Sequence, residues 1–297
     1  MKCELHGVIP AMLTPFTEGG KQVDLQRACD IAAHLAEQGV HGLFIGGTTG
    51  EGMLMSVDER KSLLEAILST VGDSVMVVAH TGCLDTPHTI ELTEHAAHAG
   101  AYAAAVVAPG FYRYDEDALK HHFRKVAAAT PDFPVMLYNL PGASKNPLSP
   151  GLVIELAEEV PNIAGIKDSG GRMQLLNAIL ARRPEGFVVI NGVDEYSLQA
   201  LATGADGSVA STANVVPEIF IELYNQVKNN DRQAAWETQK RLGNACALFQ
   251  YGAMVAFYKE ALRLRGVDAG FVRPPQRELT ETEKNHLERG MKAAGMI

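Results

Sequence analysis

The chain has 297 residues, of which 46% are hydrophobic and 21% are charged, a balance that is ordinary for a globular protein with a large buried interior. Its formal net charge is −9, from 26 basic and 35 acidic residues, and this disfavours nucleic acid or an anionic membrane surface as a partner. No stretch of about 18 apolar residues is present, so no membrane span is predicted.

The N-terminal segment, the cysteines and the histidines bear on the cellular location and on metal binding. Residues 1–16 lack a continuous apolar region and are interrupted by Pro10 and Pro15, so we predict no signal peptide. The four cysteines are scattered without a CxxC pair, which is typical of reduced thiols, and the ten histidines show no metal-ligand spacing. We therefore expect a cytoplasmic protein without a metal site.

Eight short apolar segments recur along the chain, and their lack of polar alternation is typical of strands buried on both faces of a parallel sheet. We predict strands at 8–13, 42–45, 75–79, 103–108, 135–138, 163–166, 187–190 and 207–210. Amphipathic segments follow them and predict helices at 24–38, 58–71, 86–99, 115–129, 149–159, 171–183, 194–203 and 216–229. Ser56 and Glu59 predict a capping box at the start of the second helix.

Eight strands that alternate with eight helices indicate a (β/α)8 barrel. A doubly wound sheet is the structural alternative, although eight units exceed the usual dinucleotide-binding fold. We assign residues 1–229 to the barrel and 230–297 to a small C-terminal helical extension, with helices at 231–250, 252–266 and 280–295. The apolar side chains of the extension must pack on the barrel or on another subunit; they include Trp236, Leu248, Phe249 and Phe257.

A glycine-rich segment, GGTTGEG at 46–52, follows the second strand. Its glycines let backbone N–H groups approach a ligand, and the hydroxyls of Thr48 and Thr49 add donors, so the segment suits a carboxylate or a phosphate. A glycine-rich turn without a ligand is the alternative. The segment matches neither a GxGxxG in the first βα unit nor a GxxxxGK[ST] loop, so mononucleotide binding is not supported.

Tyr138 ends the fifth predicted strand, and the sixth runs straight into Lys167. Active sites of (β/α)8 barrels lie at the carboxyl ends of the strands, so we expect these side chains to meet, with Thr48 and Thr49 across the mouth. A desolvated lysine loses proton affinity and can attack a ketone, while a neighbouring phenol can transfer protons. A solvated strand end is the alternative interpretation of an isolated lysine at this position.

Several motifs in a fixed order resemble one known family, the pyruvate-dependent class I aldolases that include dihydrodipicolinate synthase and N-acetylneuraminate lyase. The resemblance covers nearly the whole chain and depends on GVIP (7–10), TPF (14–16), GTTGE (47–51), YNLP (138–141), GIKDSG (165–170), NGVDE (191–195), GADG (204–207) and STANV (211–215).

The resemblance implies a catalytic set. Lys167 would be the Schiff-base lysine and Tyr138 the proton-relay phenol, while Thr48 and Thr49 would bind the substrate carboxylate and continue the relay. Backbone groups near Gly192 and Val209 would line the pyruvyl site. The substrates would be pyruvate and an aldehyde, the assembly a homotetramer, and no metal or organic cofactor would be needed.

Departures from the family pattern bear on the aldehyde. Dihydrodipicolinate synthases carry an arginine for the carboxylate of aspartate semialdehyde where this chain has Ala143, and losing a guanidinium is not conservative. Their interface tyrosine aligns with Phe111, next to Tyr112. Asp194 and Glu195 resemble the lyase branch, in which such a pair binds sugar hydroxyls; an acidic helix N-terminus is the alternative.

The leading prediction is therefore a lyase that releases pyruvate from a 2-keto-3-deoxy sugar acid or a similar hydroxylated 2-oxo acid. The alternative is dihydrodipicolinate synthase itself, in which pyruvate condenses with aspartate semialdehyde. The lyase branch usually has Ser-Thr where this chain has Thr48-Thr49, so the sequence falls between the two branches. A non-enzymatic barrel that binds a 2-oxo acid is the third possibility.

Overall fold

A computed structural model describes residues 3–249 and 254–297. All eight predicted strands are present in one parallel sheet: β1 Gly7–Pro10, β2 Gly42–Ile45, β3 Met76–His80, β4 Ala103–Val107, β5 Val135–Asn139, β6 Ile163–Asp168, β7 Val188–Asn191 and β8 Gly207–Ala210. The strand order is β1-β8-β7-β6-β5-β4-β3-β2. Backbone hydrogen bonds from His41 N to Val8 O (2.9 Å) and from Met12 N to Phe44 O (3.0 Å) join β1 to β2.

A sheet that returns to its first strand, with helices outside it, is a (β/α)8 TIM barrel. The prediction of this fold is confirmed, and the doubly wound alternative is wrong. The helices are α1 Leu25–Glu37, α2 Val57–Val71, α3 Thr86–Ala99, α4 Glu116–Ala129, α5 Pro141–Ser144, α6 Pro150–Glu159, α7 Met173–Leu180, α8 Ser197–Ala202, α9 Pro217–Lys228, α10 Arg232–Ala247, α11 Met254–Leu264 and α12 Glu281–Ala293. Ser56 and Glu59 form the predicted capping box of α2.

Some element bounds differ from the prediction for local reasons. The first strand ends at Pro10 rather than at residue 13, because beyond it Ala11 forms only an isolated parallel bridge, to Phe44 of β2. The helix predicted at 171–183 starts at Met173, after Gly171 takes a left-handed φ of 69°. The short helix α5 was not predicted.

Strand β6 is longer than predicted, and this matters for the site. Lys167 and Asp168 remain in the sheet, in register with Tyr138 and Asn139 of β5. The amide of Asn139 donates to Asp168 Oδ1 at 2.7 Å, which ties the two strand ends together. Lys167 therefore lies within the sheet rather than beyond its end.

The C-terminal helices pack on the barrel. Phe249 and Phe257 are buried in a core cluster that they share with barrel residues such as Leu35 and Phe220, whereas Trp236 is half exposed. The domain boundary at 229/230 stays a prediction; it falls between α9 and α10. Residues 250–253, where the predicted helices 231–250 and 252–266 meet, lie outside the described residues.

No helix within residues 3–249 and 254–297 has the length and apolar character needed to cross a membrane.

Candidate active site

Lys167 lies deep in the mouth of the barrel, with 5% of its surface exposed. Its Nζ is 3.9 Å from the ring centroid of Phe44 and 4.1 Å from that of Tyr138. Burial lowers the pKa of this amine, and the lowering exceeds the opposing effects of Tyr138 and Asp194. The neutral, nucleophilic form of the amine is thus easier to reach than for a solvated lysine.

Tyr138 is the register partner of Lys167 on the neighbouring strand. Burial raises the pKa of its phenol. The charge of Lys167 and hydrogen bonds with Thr48, Lys167 and Ser169 lower this pKa by a larger amount, so the net pKa lies below the ordinary value. This net lowering depends on a positive nitrogen beside the phenol. The pair can therefore exchange a proton at low cost.

The segment 46–52, which we call the threonine loop, presents its two hydroxyls differently. Thr48 is exposed in the barrel mouth and hydrogen-bonds the Tyr138 phenol. Thr49 is buried, and its Oγ1 lies 2.6 Å from Ser211 Oγ, beyond the end of β8. A Cβ on Gly52 would lie 1.8 Å from Gly46 O, so the loop can close this tightly only with glycine there.

Gly192 and Val209 lie on the β7 and β8 side of the mouth. Gly192 N donates to Asp168 O at 2.8 Å. A Cβ on Gly192 would lie 2.0 Å from Ser169 Oγ and 3.1 Å from Lys167 Cε, so its backbone lies directly against the lysine side chain. Val209 is buried in the inner cluster that also holds Phe44 and Tyr138.

Asp194 is engaged with the backbone. Its carboxylate accepts from Ser211 N at 3.2 Å and from Thr212 N at 2.7 Å. Burial raises the pKa of this carboxyl, and the bonds from Thr212 and Ser211 only partly offset the rise. Asp194 thereby stabilises the turn that places Ser211 beside Thr49. The neighbouring Glu195 accepts from Gln239 Nε2 through its backbone oxygen at 3.0 Å.

A cavity of about 310 Å³ opens above Thr48 and Tyr138, over the ends of β2 to β5. Its wall is mostly apolar and consists of Met53, Leu54, Leu84, Val107, Ala108, Phe111, Leu140, Ala143 and Pro275, with polar groups from Glu51, His80, Cys83, Ser144 and Gln276. The described wall residues include neither lysine nor arginine, and neither Asp194 nor Glu195. A ligand carboxylate in this part of the site would thus lack a cationic partner.

Phe111 and Tyr112 stand at the rim. Their exposed fractions are 80% and 66%, and their rings meet edge to face at 4.9 Å. Phe111 has a left-handed φ of 71°, which is unusual for an aromatic residue. Phe111 lines the cavity and Tyr112 does not.

Four residues that contact Lys167, Tyr138 or Thr49 were not predicted from the sequence: Phe44, His80, Ser169 and Ser211. The ring of His80 lies 5.7 Å from that of Tyr138, and burial together with the charges of Arg60 and Lys167 holds its pKa well below the usual range, so it is neutral. Ser169 directly follows Lys167-Asp168 in the chain, which was an available signal. For Phe44, only the inward alternation of β2 could have indicated the contact.

A (β/α)8 barrel with a buried lysine of lowered pKa beside a tyrosine, at the carboxyl ends of adjacent strands, defines the class of lysine Schiff-base aldolases. Within this class the chain belongs to the dihydrodipicolinate synthetase family, whose model matches residues 4–294. Members of the family are pyruvate-dependent class I aldolases and lyases. The non-enzymatic alternative is thereby set aside.

Three relatives illustrate the range of the family. A 4-hydroxy-tetrahydrodipicolinate synthase of Methanopyrus kandleri is 34% identical over 298 residues, covering 100% of this chain and 99% of the relative. A prophage protein of the family from Escherichia coli K12, solved with pyruvate, has a TM-score of 0.94 and 30% identity, covering 99% of both chains. A sialic acid aldolase of Ruminococcus gnavus has a TM-score of 0.93 and 25% identity, covering 99% of this chain and 95% of the other.

Proposed function

We propose that this protein is a Schiff-base aldolase that reversibly cleaves a hydroxylated 2-oxo acid, of the 2-keto-3-deoxy sugar acid type, into pyruvate and an aldehyde. The juxtaposition of Lys167 and Tyr138 carries the proposal. The Lys167 amine attacks the C2 carbonyl, and loss of water gives an iminium. The C4 hydroxyl then loses its proton, the C3–C4 bond breaks, and the aldehyde leaves. Protonation of the enamine at C3 and hydrolysis release pyruvate and restore the amine.

In this proposal Tyr138 moves the protons. The iminium carries the same positive charge as the lysine ammonium, so the phenol stays acidic after the covalent bond forms. Thr48, which hydrogen-bonds the phenol, continues the relay. Thr49, together with Thr48, holds the pyruvyl carboxylate, and Gly192 and Val209 line the pyruvyl side.

The cavity wall supports a substrate whose aldehyde half carries no carboxylate. Aspartate semialdehyde brings one, and the position aligned with the family arginine is Ala143, which lines the cavity. Asp194 and Glu195 lie outside this wall, so they are the proposed partners of substrate hydroxyls on the β7 side of the mouth, beside the pyruvyl end. A carboxylate oxygen can accept more than one hydrogen bond, so accepting a hydroxyl does not require breaking the backbone bonds of Asp194.

Dihydrodipicolinate synthesis is the second candidate, because relatives such as the Methanopyrus kandleri protein, 34% identical over the full chain, are named as synthases. The Ala143→Arg variant offers a direct comparison between the two. A guanidinium in the apolar wall should raise condensation with aspartate semialdehyde by about tenfold or more, since each 1.36 kcal/mol is a factor of ten.

The test has two parts. Pyruvate with borohydride should add one pyruvyl mass to the peptide that contains Lys167, and Lys167→Ala should lose both adduct and turnover. Pyruvate release is then followed for a panel of 2-keto-3-deoxy sugar acids, beside dihydrodipicolinate formation from aspartate semialdehyde. Labelling of another lysine would refute the mechanism. Efficient condensation without cleavage of any sugar acid would make synthesis the function instead.

We also propose that the chain forms a homotetramer. Exposed apolar side chains cluster near the cavity mouth, namely Met53, Leu84, Phe111 and Tyr112, and such a patch favours burial against a second copy. In that assembly Tyr112 would contribute to substrate binding. Light scattering coupled to size exclusion tests this, and a monomer at micromolar concentration would contradict it.

A further inference from the structure

A buried ion pair joins the C-terminal extension to the threonine loop. Lys259 Nζ of α11 lies 2.7 Å from Glu51 Oε1, and the two side chains are 2% and 1% exposed. Glu51 follows Thr48 and Thr49 within the loop, whereas Lys259 lies 208 positions further along the chain. A contact between such distant segments, this close to the barrel mouth, has no part in the proton transfers described above.

Lys259 uses all three of its N–H donors at this point. Besides Glu51, its amine donates to Thr14 O at 2.7 Å and to Phe271 O at 2.6 Å, which completes the donor capacity of an ammonium group. The second carboxylate oxygen of Glu51 accepts from Arg273 N at 3.0 Å. Both oxygens of Glu51 thus accept hydrogen bonds from residues that follow the barrel in sequence. Through its bond to Thr14 O, the Lys259 amine also holds the segment that follows β1.

The backbone of Glu51 is in the left-handed region, with φ 53° and ψ 29°. A non-glycine residue keeps this conformation only where its surroundings over-determine it. The backbone N–H of Glu51 donates to Thr48 O at 3.0 Å. Glu51, whose side chain is held by Lys259, is therefore directly hydrogen-bonded to the backbone of Thr48. A shift of the Glu51 side chain therefore reaches the threonines through the backbone.

We propose that Lys259 is a positioning residue for pyruvate: through Glu51 it fixes the places of Thr48 and Thr49, so that the C-terminal extension sets the affinity for pyruvate. This inference rests on the proposed function, in which the two threonines hold the pyruvyl carboxylate. Global stability alone is a weaker account of the pair, because replacing a buried ion pair by uncharged residues of similar volume is often neutral or stabilising.

The experiment uses the full chain with Lys259→Met, Glu51→Gln and the double variant. Met keeps an unbranched apolar side chain and loses the charge, and the double variant leaves no unpaired buried charge, so it should fold. Two quantities are measured by borohydride trapping and mass spectrometry: the pyruvate concentration for half-maximal labelling of Lys167, and the maximal labelling rate at saturating pyruvate. The thermal midpoint Tm is measured in parallel.

In the double variant we expect the half-saturating pyruvate concentration to rise about tenfold, because misplacement by a fraction of an ångström weakens a preorganised site. The maximal rate should fall by a smaller factor, since Thr48 also continues the proton relay. Glu51→Gln should shift in the same direction, and it carries the test if the double variant does not fold. The matched control is Arg183→Met, which breaks the Arg183–Asp206 pair at the opposite end of β8; it should lower Tm without changing the pyruvate dependence.

An unchanged half-saturating concentration in folded Glu51→Gln and double-variant proteins would overturn the inference, as would a loss confined to the maximal rate. Absence of any adduct in the unmodified protein would instead refute the proposed function, and this outcome is distinct from the other two.

Discussion

Replacing Gly192 by alanine tests the packing of the lysine most directly. The added methyl carbon would lie 2.0 Å from Ser169 Oγ, where real Cβ contacts begin at 3.0 Å, and 3.1 Å from Lys167 Cε. The serine hydroxyl must therefore move by about 1 Å, which breaks its 3.1 Å hydrogen bond to Gly192 O and its contact with the Tyr138 phenol. The lysine side chain has to shift by a smaller amount.

Two magnitudes follow from this geometry. One lost buried hydrogen bond lowers the free energy of unfolding by about 1 kcal/mol. A displacement of about 1 Å in a catalytic group lowers the rate by about 10²-fold, so the smaller shift of Lys167 should lower it by about tenfold. We therefore expect Gly192→Ala to be folded, slightly less stable, and slower in forming the pyruvate adduct at Lys167.

The assay is the rate of borohydride-trapped labelling at saturating pyruvate, with urea unfolding beside it. Gly243→Ala in α10 is the control, since its Cβ would meet no atom within 4 Å; it should raise stability by about 0.5–1 kcal/mol and leave labelling unchanged. Adding Ser169→Ala to Gly192→Ala removes the closest clash and should recover part of the rate. Labelling of Gly192→Ala at the unmodified rate would refute the packing argument.

Three further predictions use other parts of the site. Tyr138→Phe keeps the ring but loses the proton-transfer hydroxyl, so turnover should fall by about 10²–10⁴-fold; a steady-state change below about threefold would assign proton transfer to water or another group. Because burial lowers the pKa of Lys167 from 10.5, labelling should rise with pH as the amine deprotonates and level off below pH 10.5; a rate still rising at pH 10.5 would show an unshifted amine. Asp194→Asn leaves one oxygen for two backbone N–H groups and should lower the free energy of unfolding by about 1–3 kcal/mol; unchanged urea unfolding would show that these bonds contribute nothing.

The barrel could be predicted from the sequence because buried parallel strands and amphipathic helices leave distinct patterns, and both recur eight times. The proximity of Lys167 and Tyr138 could also be predicted, since adjacent strands of a barrel bring their ends together. Other features of the site depend on local hydrogen bonds and could not be predicted from the sequence. The extension of β6 through Asp168 comes with pairing to both β5 and β7 and with the Asn139–Asp168 hydrogen bond, and the backbone contacts of Asp194 depend on the path of the chain after β8. Neither has a periodic signal in the sequence.

The reacting pair and the cavity wall belong to different parts of the fold. Lys167 and Tyr138 are held inside β6 and β5, whereas much of the wall comes from segments after the strands, including Leu84, Ala143 and Pro275. Substitutions in those segments can alter the choice of aldehyde without moving the nucleophile. A new acceptor specificity can thus arise in this chain through few changes, while formation of the pyruvyl intermediate is retained.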